Sequence, residues 1–466
     1  MNATNPDPSL RRGEALLHED LITPLHDHEE SRNRLLATVD GTTRIVTPDQ
    51  ANELVTTLRP NRAVDDPTVE HVPQGPRFAR RGLFRGSLIG LGGLLAASAV
   101  PRYSFAAPGD RDLLVCVFLR GGFDGLAALG VPDDSYYNNL RRSTRVTAQK
   151  GSIQLSSRYV LNHNFGALAR IWDDKQLAVV LGSGHPGVTR SHFEDQDMCE
   201  RAATANVRSG WIGRHIASSS AESGTFRAIT MGDQRVVLSL TTTAYQSVAM
   251  SSVDSFRLES AWNDGARLAT DLGRVYGDAG GVLATQARAT LHAVGRLDTR
   301  RETTYPPAPG AAKAGLGMEV ACIDYGGWDM HEDIGSPGDA DGQFSRLARD
   351  FAKGIAAFRT DLGSVWNRVT VVTMSEFGRR VEVNGDGGTD HGHGNLMFLM
   401  GGGIKGGTVY GDLPDTLSPG NLTNGDLPIS VDYRQALSEI VTTRLGNDKL
   451  DQVFPGFSPG KPLGVV

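Results

Sequence analysis

Seven short runs along the chain are apolar at nearly every position: Leu113–Leu119, Leu177–Leu181, Arg227–Met231, Val236–Leu240, Met318–Asp324, Val369–Met374 and Leu396–Met400. A strand with one wet face alternates polar and apolar residues, whereas a continuous apolar strand is covered on both faces, as the central strands of a largely parallel sheet are. Helical patterns separate several of the runs. In the clearest of them, Phe344, Leu347, Phe351, Ile355, Phe358 and Leu362 fall on a single helix face. The stretch Phe193–Ala205 also reads as helix, and Val431–Leu445 as a closing helix. The expected fold is therefore α/β, a three-layer α/β/α sandwich with a mostly parallel central sheet, and no internal repeat is visible. In such sheets functional groups gather just beyond the carboxyl ends of the strands.

The 466 residues exceed the usual size of one domain, which suggests one large domain with appendages. Charge divides the chain unevenly. Residues 1–76 carry 13 acidic residues against 7 arginines, so the net charge of −6 resides there and the remainder is neutral. Without a basic stripe there is no electrostatic footprint for nucleic acid, and a small substrate fits better. Cys116, Cys199 and Cys322 are far apart and odd in number, so they read as free, buried thiols.

Residues 80–107 form a distinct segment. Arg80-Arg81-Gly-Leu-Phe-Arg85 opens a charge-free run from Gly86 to Pro101, too short and glycine-rich for a comfortable membrane span. It looks like a twin-arginine export signal cleaved after Ala106 or Ala107, which implies the twin-arginine machinery as a partner, a periplasmic or otherwise exported protein, and no stable membrane span in the mature chain. Residues 1–79 precede it as an extension of unread role or as a start placed too early. Within them, Asp49–Leu58 is a short amphipathic piece and His26, Asp27 and His28 belong to an acidic, solvated stretch. Residues 108–466 are the expected metal-binding domain.

Four segments carry chemistry. Arg120-Gly-Gly-Phe-Asp124-Gly follows the first strand, where Asp124 is either a turn residue or a metal ligand. Gly326-Gly-Trp-Asp329-Met-His331 sets a carboxylate and an imidazole two residues apart in a glycine-opened loop; oxygen and imidazole together suit zinc, manganese or iron(II) rather than calcium. Ser375-Glu376-Phe-Gly-Arg379 and Thr389-Asp390-His391-Gly-His393 flank the next turn, and two histidines beside an aspartate read as a ligand cluster. Finally, Gly184-His-Pro-Gly-Val-Thr189-Arg190-Ser191-His192 leads into a helix with Ser191 at the N-cap. There it is a capping serine, or a hydroxyl nucleophile favoured by the helix dipole.

Taken together and in order, these motifs and the export signal resemble the bacterial family called domain of unknown function 1501, over about Arg80 to Val453. That family is similar to a branch of the alkaline phosphatase and sulfatase superfamily. The resemblance implies an alkaline-phosphatase-like fold with one or two divalent ions, zinc or manganese foremost. It implies Asp124, Asp329, His331, Glu376, Asp390, His391 and His393 as metal residues, with His391 or His393 completing the Asp329–His331 pair. Ser191 resembles the nucleophile, and Glu376 stands in the slot of a second-metal aspartate. The superfamily follows that acidic residue with histidine, and this chain has Phe377. The cysteine of the formylglycine sulfatases is also missing around Ser191. The implied function is an exported metal-dependent hydrolase or transferase acting on small phosphate or sulfate esters, with Arg379 or Arg190 clamping the anion. The alternative is a non-catalytic exported metal-binding protein. No dinucleotide glycine fingerprint supports a redox enzyme.

Overall fold

The computed structural model describes residues 112–203, 207–219, 227–233, 235–242, 247–250, 258, 265–276 and 318–466, isolated positions between 287 and 294, and three short strands within 22–46. The chain divides into two units, Met1–Arg77 and Phe78–Val466. In the first, Leu35–Val39 pairs antiparallel with both Ile22–Pro24 and Thr42–Val46. Leu35–Val39 and Thr42–Val46 are separated in sequence only by Asp40-Gly41, a dipeptide that favours tight hairpins. The export segment 80–107, the piece at 49–58 and the His26–His28 stretch lie outside the described residues.

The second unit is built on nine strands: β1 Leu113–Leu119, β2 Leu177–Gly184, β3 Ala228–Met231, β4 Val248–Met250, β5 Val320–Tyr325, β6 Val369–Met374, β7 Asn395–Gly401, β8 Thr408–Tyr410 and β9 Val431–Asp432. They lie in the order β4-β3-β5-β1-β6-β7-β2-β8, with β9 also pairing β2. Every neighbouring pair is parallel except those made by β7, which runs against both β6 and β2. The sheet is thus mostly parallel, as the continuous apolar runs imply.

Alternate residues of β1 enter two separate cores, which makes the unit three-layered. Val115, Val117 and Leu119 join Phe123, Phe165, Phe344, Phe351 and Phe398 on one side. Leu114, Cys116 and Phe118 join Trp211, Ile212, Leu437 and Ile440 on the other. The helix α4, Gln343–Leu362, covers the first face, burying Phe344, Phe351, Ile355 and Phe358. The helices α2, Trp211–Ser218, and α5, Tyr433–Thr443, cover the second. In addition, α1 spans His192–Arg201 and α3 spans Gly265–Tyr276. Cys116, Cys199 and Cys322 are free and buried.

One expected strand is not there. Within Val236–Leu240 the chain forms a 3-10 turn at Leu238–Leu240, because the Val237 N–H is taken by Thr230 Oγ1 instead of a ladder partner (3.1 Å). Beside β3 the place is filled by β4. A five-residue apolar run does not tell strand from turn by pattern alone.

Candidate metal centre

The carboxyl ends of β1, β2, β5 and β6 and the amino end of the reversed β7 share one edge of the sheet, so four loops meet there, the last joining β6 to β7. Close backbone approach locks them together. Gly378 and Arg380 N–H groups donate to the carbonyls of His393 and Asp390, and Gly392 N–H to that of Gly378, each at 2.9 Å. A Cβ on Gly392 would lie 2.6 Å from the Arg379 carbonyl carbon, so only glycine lets the two segments pair. Gly121, at φ +115°, likewise lets the turn after β1 press against the Asp329 backbone, where a Cβ would meet the amide nitrogen at 2.4 Å.

Four side chains converge in the space so framed. Ligand atoms of His192, Asp329 and His391 all lie within 4.8 Å of one another. Asp329 Oδ1 is 3.4 Å from His192 Nε2, 3.1 Å from His331 Nε2 and 3.6 Å from His391 Nε2. For ligands at about 2.0–2.1 Å around a tetrahedral zinc, neighbouring donor atoms stand about 3.3–3.4 Å apart, so the separations of His192 and His391 from Asp329 are near two edges of such a site, while His331 stands beside this mutually close group of three.

The outer contacts of the rings fix which nitrogen faces inward. His192 Nδ1 is 2.8 Å from Glu376 Oε1, His391 Nδ1 is 2.8 Å from the Arg190 carbonyl, and His331 Nδ1 is 3.4 Å from Asp390 Oδ1. Carboxylates and carbonyls only accept, so each Nδ1 carries a proton and each Nε2 is left facing Asp329, donating to its carboxylate when protonated or offering a lone pair to a cation held there. This is how metal-bound histidines are oriented. Two results are otherwise hard to accommodate. His331 Nε2 and His391 Nε2 face each other at 2.9 Å, and His192 Nε2 is buried without a hydrogen-bond partner. A cation, or a proton in its stead, satisfies both. The residues therefore fit a divalent ion.

Electrostatics point the same way. Burial works against ionisation of Asp329, but the contacts from His192, His331, His391 and Arg379 outweigh it and hold its carboxyl far below the usual range. Burial likewise opposes charge on His192, yet Asp329 and Glu376 raise it to about 9. For Glu376, burial is outweighed by His192, Gln196 and the Gly121 N–H, which keep it ionised. Phe377, fully buried, lies against both His192 and His391, with ring centroids 4.9 and 4.5 Å away, and so limits their rotation.

Several expected ligands have other work. Asp124 is buried at the N-cap of Gly125–Ala128, accepting from Leu126 and Ala127 N–H groups, from Thr389 Oγ1 at 3.0 Å, and twice from Arg141 Nη1 at 3.0 and 2.8 Å. Its lone pairs are spent on the turn, not on the cluster. Glu376 orients His192 and also accepts from Gln196 at 2.9 Å and Gly121 N–H at 2.8 Å, so its Oε1 is turned to these three groups. Asp390 does the same for His331, with an Asn384 hydrogen bond as the main cause of its lowered pKa. His393 turns away to Asp426, Nδ1 to Oδ2 2.5 Å. Between His391 and His393, the structure thus brings His391 to Asp329.

Arg379 is not placed as an anion clamp. Its guanidinium is fully buried and donates to the carbonyls of Gly122 and Thr389, both at 2.7 Å, to Gly121 O, and to Asp329 Oδ1 at 2.7 Å. Ser191 does occupy the N-cap of α1, and its side chain makes no capping bond. Arg190 remains partly exposed, with one ion pair to Asp426 at 3.4 Å. His192, which the sequence reading does not single out, is brought to Asp329, and a histidine directly after the N-cap serine is the signal that marks it.

No curated protein matches the chain. Three solved structures show distant likeness. Ps i-CgsB in complex with k-i-k-neocarrahexaose is 9% identical, covering 74% of this chain and 75% of that one, with a TM-score of 0.32. The C-terminal periplasmic domain of EcEptC from Escherichia coli, in complex with Zn, is 9% identical over 65% and 76%, with a TM-score of 0.27. A protein in the alkaline phosphatase superfamily from Vibrio parahaemolyticus is 6% identical over 70% of each chain, with a TM-score of 0.26. The α/β fold rests on the sheet topology described above. Residues 311–425, which hold Asp329, His331, Glu376, Arg379 and His391, match the family model described as Protein of unknown function (DUF1501).

Proposed function

We propose that the chain is an exported metal-dependent hydrolase or transferase for small phosphate or sulfate esters, working with one divalent cation held by His192, Asp329, His331 and His391. The observation that carries this reading is the set of three imidazoles whose Nε2 atoms all turn toward one Asp329 oxygen. Three imidazoles and a carboxylate favour zinc, with manganese next. A single ion is favoured because Arg379 and Phe377 line the flank of the cluster and Glu376 is engaged by His192.

When bound, the cation supplies Lewis-acid polarisation of an ester oxygen. The remaining roles fall to side chains. Ser191 presents a hydroxyl without a capping bond at the amino end of α1, where the helix dipole favours an anionic substrate group. Arg190, with its partly exposed guanidinium, takes the anion-clamping role that Arg379 does not fill. Asp329, paired with Arg379, stays ionised and in place. Export is supported by the Arg80–Ala107 segment alone; among the described residues no helix is long and apolar enough to cross a membrane.

The deciding experiment expresses residues from Ala107 onward, counts bound metal by elemental analysis, and assays phosphate monoesters, phosphate diesters and sulfate esters. One ion per chain, with turnover lost in Ser191→Ala and metal lost in His192→Ala, is the expected result. Metal-loaded protein inert across the panel would favour the non-catalytic metal-binding reading. Two ions per chain would remove the single-site reading. Replacement of Arg80 and Arg81 by Lys is expected to retain the protein in the cytoplasm.

A further inference from the structure

Between Ser183 at the end of β2 and His192 at the start of α1 the chain makes a turn whose centre is unusual. Arg190 is in the left-handed region, φ +67°, where a residue bearing a Cβ is disfavoured by roughly 1–2 kcal/mol. The conformation is held from one side chain. Asp195 is fully buried one turn into α1. Its carboxylate accepts from Arg190 N–H at 2.6 Å, from Thr189 N–H at 2.9 Å and from Thr189 Oγ1 at 3.2 Å. Thr189 Oγ1 in turn accepts from Ser191 N–H at 3.2 Å. The product of this arrangement is the direction of one carbonyl: Arg190 O points at His391 Nδ1, 2.8 Å away, from a position 201 residues distant in sequence.

We infer that Asp195 is a positioning residue of the metal centre, which by holding Arg190 in the left-handed conformation sets the tautomer and ring orientation of His391 and the approach of His192. The inference rests on the cation site proposed above and extends it to a group that touches neither cation nor substrate. The chain of contacts is short: carboxylate to Arg190 amide, Arg190 carbonyl to His391 Nδ1, His391 Nε2 to the cluster. The same turn bears Ser191 and His192, so Asp195 bears on both His391 and His192. An ordinary helix-capping aspartate would do less, because neither of its oxygens would act on a strained residue. Removal of such outer contacts lowers metal affinity by about 10–100-fold.

The test is Asp195→Asn in the full chain. The amide offers one acceptor and turns two donors toward the Arg190 and Thr189 N–H groups, so the turn relaxes. Zinc affinity, measured by competition with a chelator, is expected to fall about 10–100-fold. Addition of Arg190→Gly in the same chain is expected to restore most of it, since glycine takes a positive φ without help. Arg190→Ala, which removes the guanidinium but keeps Cβ, is expected not to restore it. A merely structural defect would respond alike to both. A readout without metal keeps this separate from the cation reading itself. Imidazole nitrogen shifts of His391 in the neutral, metal-free protein should report the Nδ1–H tautomer, and a tautomer mixture in Asp195→Asn. Wild-type protein that binds no zinc but shows this tautomer change would refute the cation site and leave the relay standing. Unchanged zinc affinity and unchanged tautomer in Asp195→Asn would overturn the inference, as would equal rescue by Gly and Ala.

Discussion

Arg141→Met should be among the most damaging single changes outside the ligand cluster. Arg141 is fully buried and its Nη1 bonds both oxygens of Asp124, itself 3% exposed. The same guanidinium donates Nε to Val381 O at 2.6 Å and Nη2 to Arg380 O at 2.7 Å, fastening the turn after β1 to the loop between β6 and β7. Breaking a buried pair by removal of one partner costs about 3–5 kcal/mol, because the other charge stays buried without compensation. Each orphaned carbonyl adds about 1 kcal/mol. The Leu126 and Ala127 N–H groups and Thr389 still bond Asp124 and soften the loss, so about 5 kcal/mol is the working figure. Equilibrium urea denaturation of the metal-free protein measures it. Thr389→Val, which removes one hydrogen bond from the same carboxylate, should cost about 1 kcal/mol and gives a graded comparison if Arg141→Met does not fold. A loss under about 1 kcal/mol for Arg141→Met would refute the reasoning and return Asp124 to consideration as a ligand.

Zinc affinity should rise with pH up to about 9, since the ion must displace the proton that Asp329 and Glu376 hold on His192; chelator competition from pH 6 to 10 reads this, and a flat profile would count against His192 as a ligand. Glu319 is paired with His215 Nε2 at 2.8 Å and Arg227 Nε at 2.5 Å, and despite its burial these partners bring it down to about 2 from 4.5. A depressed carboxyl pKa contributes stability that is fully present above 4.5 and lost as pH falls toward 2, here about 3 kcal/mol at most. Glu319→Gln should therefore flatten the acid limb of the stability curve between pH 4.5 and 2, and an unchanged limb would show the pair to be idle. Gly392→Ala should displace His391 by forcing the 376–380 segment away, lowering zinc affinity and melting temperature together; normal values for both would mean the backbone yields more freely than a 2.6 Å contact allows.

Much of the sheet was legible because full burial leaves a periodicity-free apolar run, as in Leu113–Leu119 and Val369–Met374, each matched to the residue by β1 and β6. Strand direction was not legible. The run at Leu396–Met400 looks like its neighbours, and its reversal goes with a Ser375–Gly394 connection that forms no helix and pairs with itself across the site instead of crossing over. Asp329, His331 and His391 were readable from glycine-opened loops next to strands. The division of labour between ligand and support was not, since Asp124 and Glu376 have the same chemistry as Asp329 and differ in what reaches them: Arg141 for one, His192 for the other. The burial of Arg379 was not legible for the same reason, because a guanidinium among carbonyls is indistinguishable in sequence from one at a cleft.

The reversed β7 also sets the order in which the site comes into being. His192, Asp329 and His391 enter from β2, β5 and β7, and β7 lies between β6 and β2 in the sheet. Until that last central strand is inserted, β2 has no connection to the strands carrying the other loops, and no subset of the chain before residue 391 offers the full donor set. On the proposed reading, cation capture would then be a late event in folding, and the bound ion would act as a rivet on a finished sheet. Its binding free energy, set by concentration over the dissociation constant, adds to the stability of the whole unit instead of to one loop.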